Sequence, residues 1–365
     1  MLRRLAVCLG LLVAACGDDS PLQPADSGTV APPPDLGPPD SGVTPFDAGT
    51  RPDTGSPDAG FADPSILGQG QEIIGGPLLF VTLRGTLTST MPPLVLLPTG
   101  PMHGQEYLYD PTEFLLGSGG VDAPNRLMVY LDLRATGRSA FGAIGDAEVT
   151  VENHIKDVEN IVTYIDGLLG RTGPIDFLGH GYGAGIAVLY AARHGDRVSR
   201  LVLSNPFPAN VQDNARWNEN YRARLNAAES ERLVDLTQPR ICLQDLERCS
   251  LEAWNIIGPT WICRENETKY RTLRFEHLDY RAFGFFINRD LRNDQYDWST
   301  TMGLLSGIDT TIISGPCDPI PAESPMTYTA SIAGSVHYVV PESGHFTLVE
   351  QAEAFRRIVL RALTY

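Results

Sequence analysis

One stretch constrains the fold of this chain more than any other: Ile175 to Pro206, IDFLGHGYGAGIAVLYAARHGDRVSRLVLSNP. An apolar run (Ile175, Phe177, Leu178) ends in Gly179-His180-Gly181-Tyr182-Gly183, and Ala184 to Ala192 follows as a helix-like segment of small and apolar residues. A strand that turns into a helix through so few residues brings two backbones into close contact. Small residues at the outer positions, Gly179 and Gly183, permit that approach, and the central Gly181 must accept a strained backbone. The unit fits a mostly parallel, twisted sheet flanked by helices, an α/β fold.

The rest of the chain supplies matching parts. Leu78 to Arg84, Pro93 to Leu97 and Arg126 to Asp132 read as early strands, and Ile308 to Gly315 and Ser335 to Val340 as late ones. Between them, Ile155, Val158, Ile161, Val162, Ile165 and Leu168 recur at helical spacing, which predicts a helix laid on the sheet over 152–169. A closing helix is expected from Val349 to Ala362. The pattern breaks off for residues 207–300, a segment that holds all four tryptophans (Trp217, Trp254, Trp261, Trp298). Such an aromatic, mainly helical insertion between strands reads as a cap that shapes a pocket and excludes water.

The N-terminal end carries different information. Arg3 and Arg4 precede a short apolar run, Leu5 to Ala15, too brief to span a bilayer and typical of a secretory signal. Its end, Leu12-Val13-Ala14-Ala15-Cys16, resembles a bacterial lipobox, which implies cleavage before Cys16 and lipidation of that residue. Residues 17–63 hold nine Asp, one basic residue (Arg51) and repeated Pro, Gly, Ser and Thr. So little apolar surface cannot offset the entropy of ordering the backbone, so an extended, disordered spacer is expected. It accounts for eight of the sixteen net negative charges of the chain. The remainder is only mildly acidic, and nucleic acid is an unsuitable partner. The expected organisation is a signal peptide over 1–15, a tether over 16–66, core over 67–206, cap over 207–300 and core again over 301–365. The expected place is the cell envelope, anchored through Cys16, with Gly17 after the cysteine favouring the outer membrane.

Once Cys8 is removed and Cys16 lipidated, Cys242, Cys249, Cys263 and Cys317 remain. An even number in an exported chain suggests two disulfides, with three connectivities open and Cys242 with Cys249 the first choice, being near enough in sequence to close a small loop. A disulfide role is expected over a metal site, because no histidine stands at ligand spacing from these cysteines; no metal and no cofactor are expected.

The turn at residues 179–183 resembles the G-x-S-x-G nucleophile elbow of the α/β-hydrolase superfamily, with Gly181 where the serine stands. The proline iminopeptidase branch and its esterase relatives resemble this chain most over about 75–205 and 300–365. Pro98-Thr99-Gly100-Pro101-Met102 occupies the place of that branch's His-Gly-Gly-Pro-Gly loop and keeps its third and fourth members. The resemblance implies main-chain oxyanion donors at Gly100 and Tyr182. Asp132 to Ser139 matches a D-x-R-G-x-G-x-S loop except at Ala135, and its Ser139 reads as structural more than as a substitute nucleophile. A strand-end Asp318 and a later His345 in a Gly-His turn stand in the order of the family's acid and base. Relatives that cleave N-terminal residues set cap acids against the substrate amine, and Glu252, Glu265 and Glu267 are candidates for that role.

Glycine at the elbow offers no atom to activate. The sequence therefore points to a pseudohydrolase that binds a small molecule or peptide, as the N-myc downstream-regulated family shows the fold allows. The alternative is an active hydrolase in which His345 and Asp318 act as a general base without an acyl-serine. A serine restored at residue 181 is expected to restore turnover.

Overall fold

The computed structural model describes residues 67–74, 79–87, 89–100, 102–116, 126–139, 149–236, 246–275, 278 and 296–363. The signal, the lipidated Cys16 and the tether expected from the sequence lie outside them. Contacts divide the chain into Met1–Ala62 and Asp63–Tyr365, and the folded part described here belongs to the second unit.

Eight strands form one sheet in the order β1-β2-β4-β3-β5-β6-β7-β8. They are β1 (Leu67–Ile74), β2 (Leu79–Gly85), β3 (Leu94–Leu97), β4 (Met128–Leu131), β5 (Ile175–His180), β6 (Val198–Ser204), β7 (Asp309–Ser314) and β8 (Val336–Val339). β1 and β2 are antiparallel to their neighbours, and every pairing from β4 to β8 is parallel. Sequence reading finds β2 to β5, β7 and β8 within a few residues, most plainly β3 and β4, where burial on both faces is written as an unbroken apolar run. It misses β1, whose LGQGQEII is too polar and glycine-rich to carry that signal.

The helix over Val151–Leu169 starts where Thr150 accepts the Asn153 N–H and stops at Gly170, held at φ 60. It buries Ile155, Val158, Ile161, Val162 and Ile165, the face the spacing predicts. The closing helix is Ala352–Leu363 and begins after Val349, because Thr347–Glu350 forms a separate turn behind His345.

The insertion is helical, with segments at Val211–Ala223, Ala227–Leu236 and Leu246–Ile257. Its two ends are pinned together at its base, where Trp298 N donates to Ala209 O at 2.8 Å and Val211 N to Tyr296 O at 3.1 Å. All four tryptophans join the same apolar core as the strands. A disulfide between Cys263 and Cys317, 54 residues apart, ties the insertion to the loop after β7. Cys249 is also disulfide-bonded, while Cys242, and with it the expected small loop, lies outside the described residues.

Candidate active site

The strand order reverses at β3, which lies between β4 and β5. In open sheets of this kind a crevice forms outside the carboxyl ends of the strands at such a point. Thr99 follows β3, Gly181 follows β5, Asn205 follows β6, Asp318 follows β7 and His345 follows β8, so all five residues leave the same edge of the sheet.

The elbow is built as its sequence predicts. Gly181 has φ 52 and ψ −116, a conformation that L-residues adopt only under strain. A Cβ added at Gly179 would meet the main chain of Ala184, and one at Gly183 would come within 2.5 Å of Leu97 O. Both glycines are thus required by the contact between the helix Tyr182–Arg193 and the strands beneath it.

Asp318 and His345 come together, as their order along the chain implies. His345 Nδ1 lies 2.9 Å from Asp318 Oδ2. The same carboxylate oxygen accepts Asn205 Nδ2 at 3.0 Å, and Oδ1 accepts Ile320 N at 3.0 Å. Asn205 also donates to Gly344 O at 2.9 Å, which links the Asp318 loop to the His345 loop. Its own backbone is left-handed, at φ 46. The His345 turn is braced from behind by the buried Glu350, whose Oε1 accepts Gly344 N at 2.9 Å and Phe346 N at 3.2 Å. Burial raises the Glu350 carboxyl above its usual range, against the pull of these N–H donors and of Cys263 N.

The other face of the His345 ring meets a group that sequence reading passed over. His345 Nε2 lies 3.1 Å from Thr99 Oγ1. Thr99 N donates to Tyr107 Oη at 2.6 Å, and Tyr107 Oη lies 2.8 Å from His180 Nδ1. His180 Nε2 is 2.8 Å from His345 O, and that carbonyl can only accept. This fixes His180 as the Nε2–H tautomer, with Nδ1 accepting from Tyr107. Burial holds His180 neutral, its pKa well below 6.5, with the neighbouring His345 acting in the same direction.

Aromatic side chains close the site among the described residues. The Trp261 ring stands 4.8 Å from that of His345, and Trp261 O accepts His345 N at 2.7 Å. Trp254 packs edge-on against His103 at 4.3 Å. Desolvation, then the nearby His345, push the His103 pKa down to about 3. Its ring nitrogens have no hydrogen bond of ordinary geometry, although the Thr99 main chain lies near enough to favour the protonated form slightly. Thr99 and His345 are each only 2% exposed. A cleft of about 350 Å³ lies alongside, lined by Glu106, Tyr107, Arg138 and Arg274 among others. It reaches the back of Tyr107 and not the His345 ring.

The remaining candidates are placed elsewhere. Ser139 is buried, accepts Phe80 N at 2.8 Å and donates to Asp132 O at 2.7 Å, so its hydroxyl staples the loop to β2 and cannot serve as the substitute nucleophile. The Tyr182 hydroxyl is bound to His154 Nδ1 at 2.8 Å, which removes it from the same role. Glu252 pairs with Arg232 at 2.6 Å, Glu267 pairs with Arg271, and Glu265 is exposed, so these acids belong to the cap surface. Gly100 and Tyr182 follow Thr99 and Gly181 directly and so flank the site. Pro101 lies outside the described residues, as does Cys16. Among the described residues no cluster of side chains suits a metal ion, and no helix is long and apolar enough to cross a membrane.

Known proteins share this frame. The chain is 26% identical over 209 residues to a 2-hydroxymuconate semialdehyde hydrolase of Pseudomonas putida, covering 55% of this chain and 66% of the relative, just under two thirds of its length. Among solved structures, VinJ superposes with a TM-score of 0.61 at 19% identity, over 81% of this chain and 99% of that one. A proline iminopeptidase of Mycobacterium smegmatis does so with a TM-score of 0.56 at 17% identity, over 81% and 97%. The family model for the alpha/beta hydrolase fold matches residues 92–352, a span that starts just before β3 and ends beyond His345. By this match and by its sheet, elbow and loop order, the chain belongs to the α/β-hydrolase family.

Proposed function

We propose that this protein is an impaired hydrolase, acting on an ester or amide carbonyl of a small molecule or peptide without an acyl-serine at residue 181. His345 is the general base, Asp318 orients it and stabilises its protonated form, and Gly100 and Tyr182 offer main-chain donors to the oxyanion. The observation that carries this reading is the unbroken line from Asp318 through His345 to a hydroxyl, with steps of 2.9 and 3.1 Å. A site that had merely lost its serine would have no need to keep that line. Loss of the serine nucleophile costs on the order of a million-fold in turnover in a full triad enzyme, so rates far below those of serine relatives are expected. The lipobox-like Leu12 to Cys16 and the acidic tether support anchoring at the cell envelope through Cys16.

The second reading, a pseudohydrolase that binds a small molecule or peptide without cutting it, is favoured by the burial of Thr99 and His345 and by the Trp261 ring packed against His345. A panel of small ester and aminoacyl substrates separates the two. Turnover by the wild type that falls to background in His345→Ala supports the hydrolase. Turnover indifferent to His345 contradicts it, and binding without turnover selects the second reading.

A further inference from the structure

Building on the hydrolase reading above, we propose that Thr99 is the nucleophile of this site, a hydroxyl supplied from the strand next to the one that carries it in serine relatives.

The argument begins with strand register. Leu97 on β3 is level with Gly179 on β5, so two residues further along each chain Thr99 stands opposite Gly181. A Cβ built on Gly181 falls far inside contact distance of Thr99 Oγ1, 2.8 Å from Thr99 Cβ and 2.9 Å from His345 Nε2. The Thr99 oxygen therefore occupies space that an elbow side chain at residue 181 would need, beside the same base. It also meets the base as such an oxygen must, at 3.1 Å from His345 Nε2. Because Asp318 accepts the proton on His345 Nδ1, the lone pair on Nε2 faces the Thr99 hydroxyl.

The hydroxyl is also held in place. Thr99 is β-branched and stiff about χ1, and its N–H is bound by Tyr107. Tyr107 is tied in turn through His180 to the main chain of His345. The nucleophile's loop and the base's loop are thereby joined by a second route that does not pass through the reacting atoms. The other hydroxyls of these loops are committed elsewhere: Ser343 Oγ donates to Val340 O at 2.9 Å, and Ser139 and Tyr182 are bound as described.

The chemistry balances with water alone. The Thr99 Oγ–H proton passes to His345 Nε2 as Oγ bonds to the substrate carbonyl carbon. The protonated His345 then gives that proton to the leaving alcohol or amine as its bond to the carbonyl breaks, leaving an acyl ester on Thr99. His345 next takes a proton from water, the resulting hydroxide attacks the ester, and the acid departs as the proton returns to Thr99 Oγ.

The test uses the full chain, a fluorophosphonate probe and peptide mass spectrometry. Wild type is expected to carry the phosphonyl group on Thr99. Thr99→Val keeps the shape and removes the oxygen, and labelling should fall by at least about 100-fold, while Thr99→Ser should retain it and His345→Ala should lose it. An unchanged melting temperature of Thr99→Val, and the rescue by serine, separate loss of the nucleophile from loss of the fold. An adduct on another residue, undiminished labelling of Thr99→Val, or no labelling of the wild type overturns the proposal. If substrate turnover survives Thr99→Val but not His345→Ala, Thr99 is not the nucleophile and His345 activates water, so the hydrolase reading stands. If neither variant alters turnover, both fail.

Discussion

Serine returned to residue 181 would not find an open position. Its Cβ would lie 2.8 Å from Thr99 Cβ and closer still to Thr99 Oγ1, where ordinary contacts begin at 3.4 Å. Forcing extra atoms into a packed site costs about 1–3 kcal/mol. Placing a side-chain-bearing residue at φ 52 and ψ −116 costs a further amount on the order of 1–3 kcal/mol. Gly181→Ser alone is therefore expected to lower stability and to leave turnover near that of the wild type, contrary to the restoration that the sequence alone suggests. Adding Thr99→Gly, the residue of the family's loop at that point, removes the contacts with Thr99 and leaves the 2.9 Å approach to His345 Nε2 and the backbone strain. The double variant is expected to regain roughly the 1–3 kcal/mol of overpacking and to exceed the single variant in ester turnover by at least about 100-fold. Urea denaturation and an activated-ester assay on wild type, both singles and the double measure both effects. If Gly181→Ser alone is as stable and as active as the double, Thr99 does not fill the nucleophile's place, and the reasoning fails.

Two further effects follow from buried groups. His103 is held at a pKa of about 3, against roughly 6.5 in an unfolded chain. Below pH 6.5 the unfolded state binds the proton and the folded state does not. This contribution to stability is complete above pH 6.5 and is lost as pH falls, at about 1.4 kcal/mol per pH unit. His103→Phe should therefore reduce the stability lost between pH 6.5 and 5 by about 2 kcal/mol, read from urea midpoints at the two pH values. An unaltered pH slope contradicts the buried neutral state. Ala135 has φ 59 where the family's loop has glycine, and Ala135→Gly is expected to stabilise the fold by about 1 kcal/mol, seen as a higher urea midpoint; destabilisation would contradict it.

Much of this architecture is legible in the sequence, for physical reasons that differ from part to part. The central strands β3 and β4 are legible because burial on both faces forces continuous apolar runs, and the elbow because Gly179 and Gly183 leave no room for a side chain. Asp318 and His345 are legible because each ends a strand at a turn in the family's order. Thr99 is not, because its place opposite Gly181 is set by the register of β3 on β5, which no single stretch of sequence records. Asn205 and Glu350 are hidden for a related reason. Each works by crossing between loops that are distant in sequence, Asn205 from Asp318 to Gly344 and Glu350 from Cys263 to Gly344. The disulfide of Cys263 with Cys317 is the pair left over if Cys242 and Cys249 close their own loop, and the approach of the insertion to the Asp318 loop brings its two cysteines together.

The central claim is that Thr99 and His345 act as one proton-transferring unit, and a double-variant cycle tests it most directly. kcat/KM for a small activated ester is measured for wild type, Thr99→Val, His345→Ala and the pair together. Residues that work as a unit are grossly non-additive, so the pair is expected to be no slower than either single variant. Losses that multiply in the pair would mean that the two side chains contribute independently, and would contradict the account.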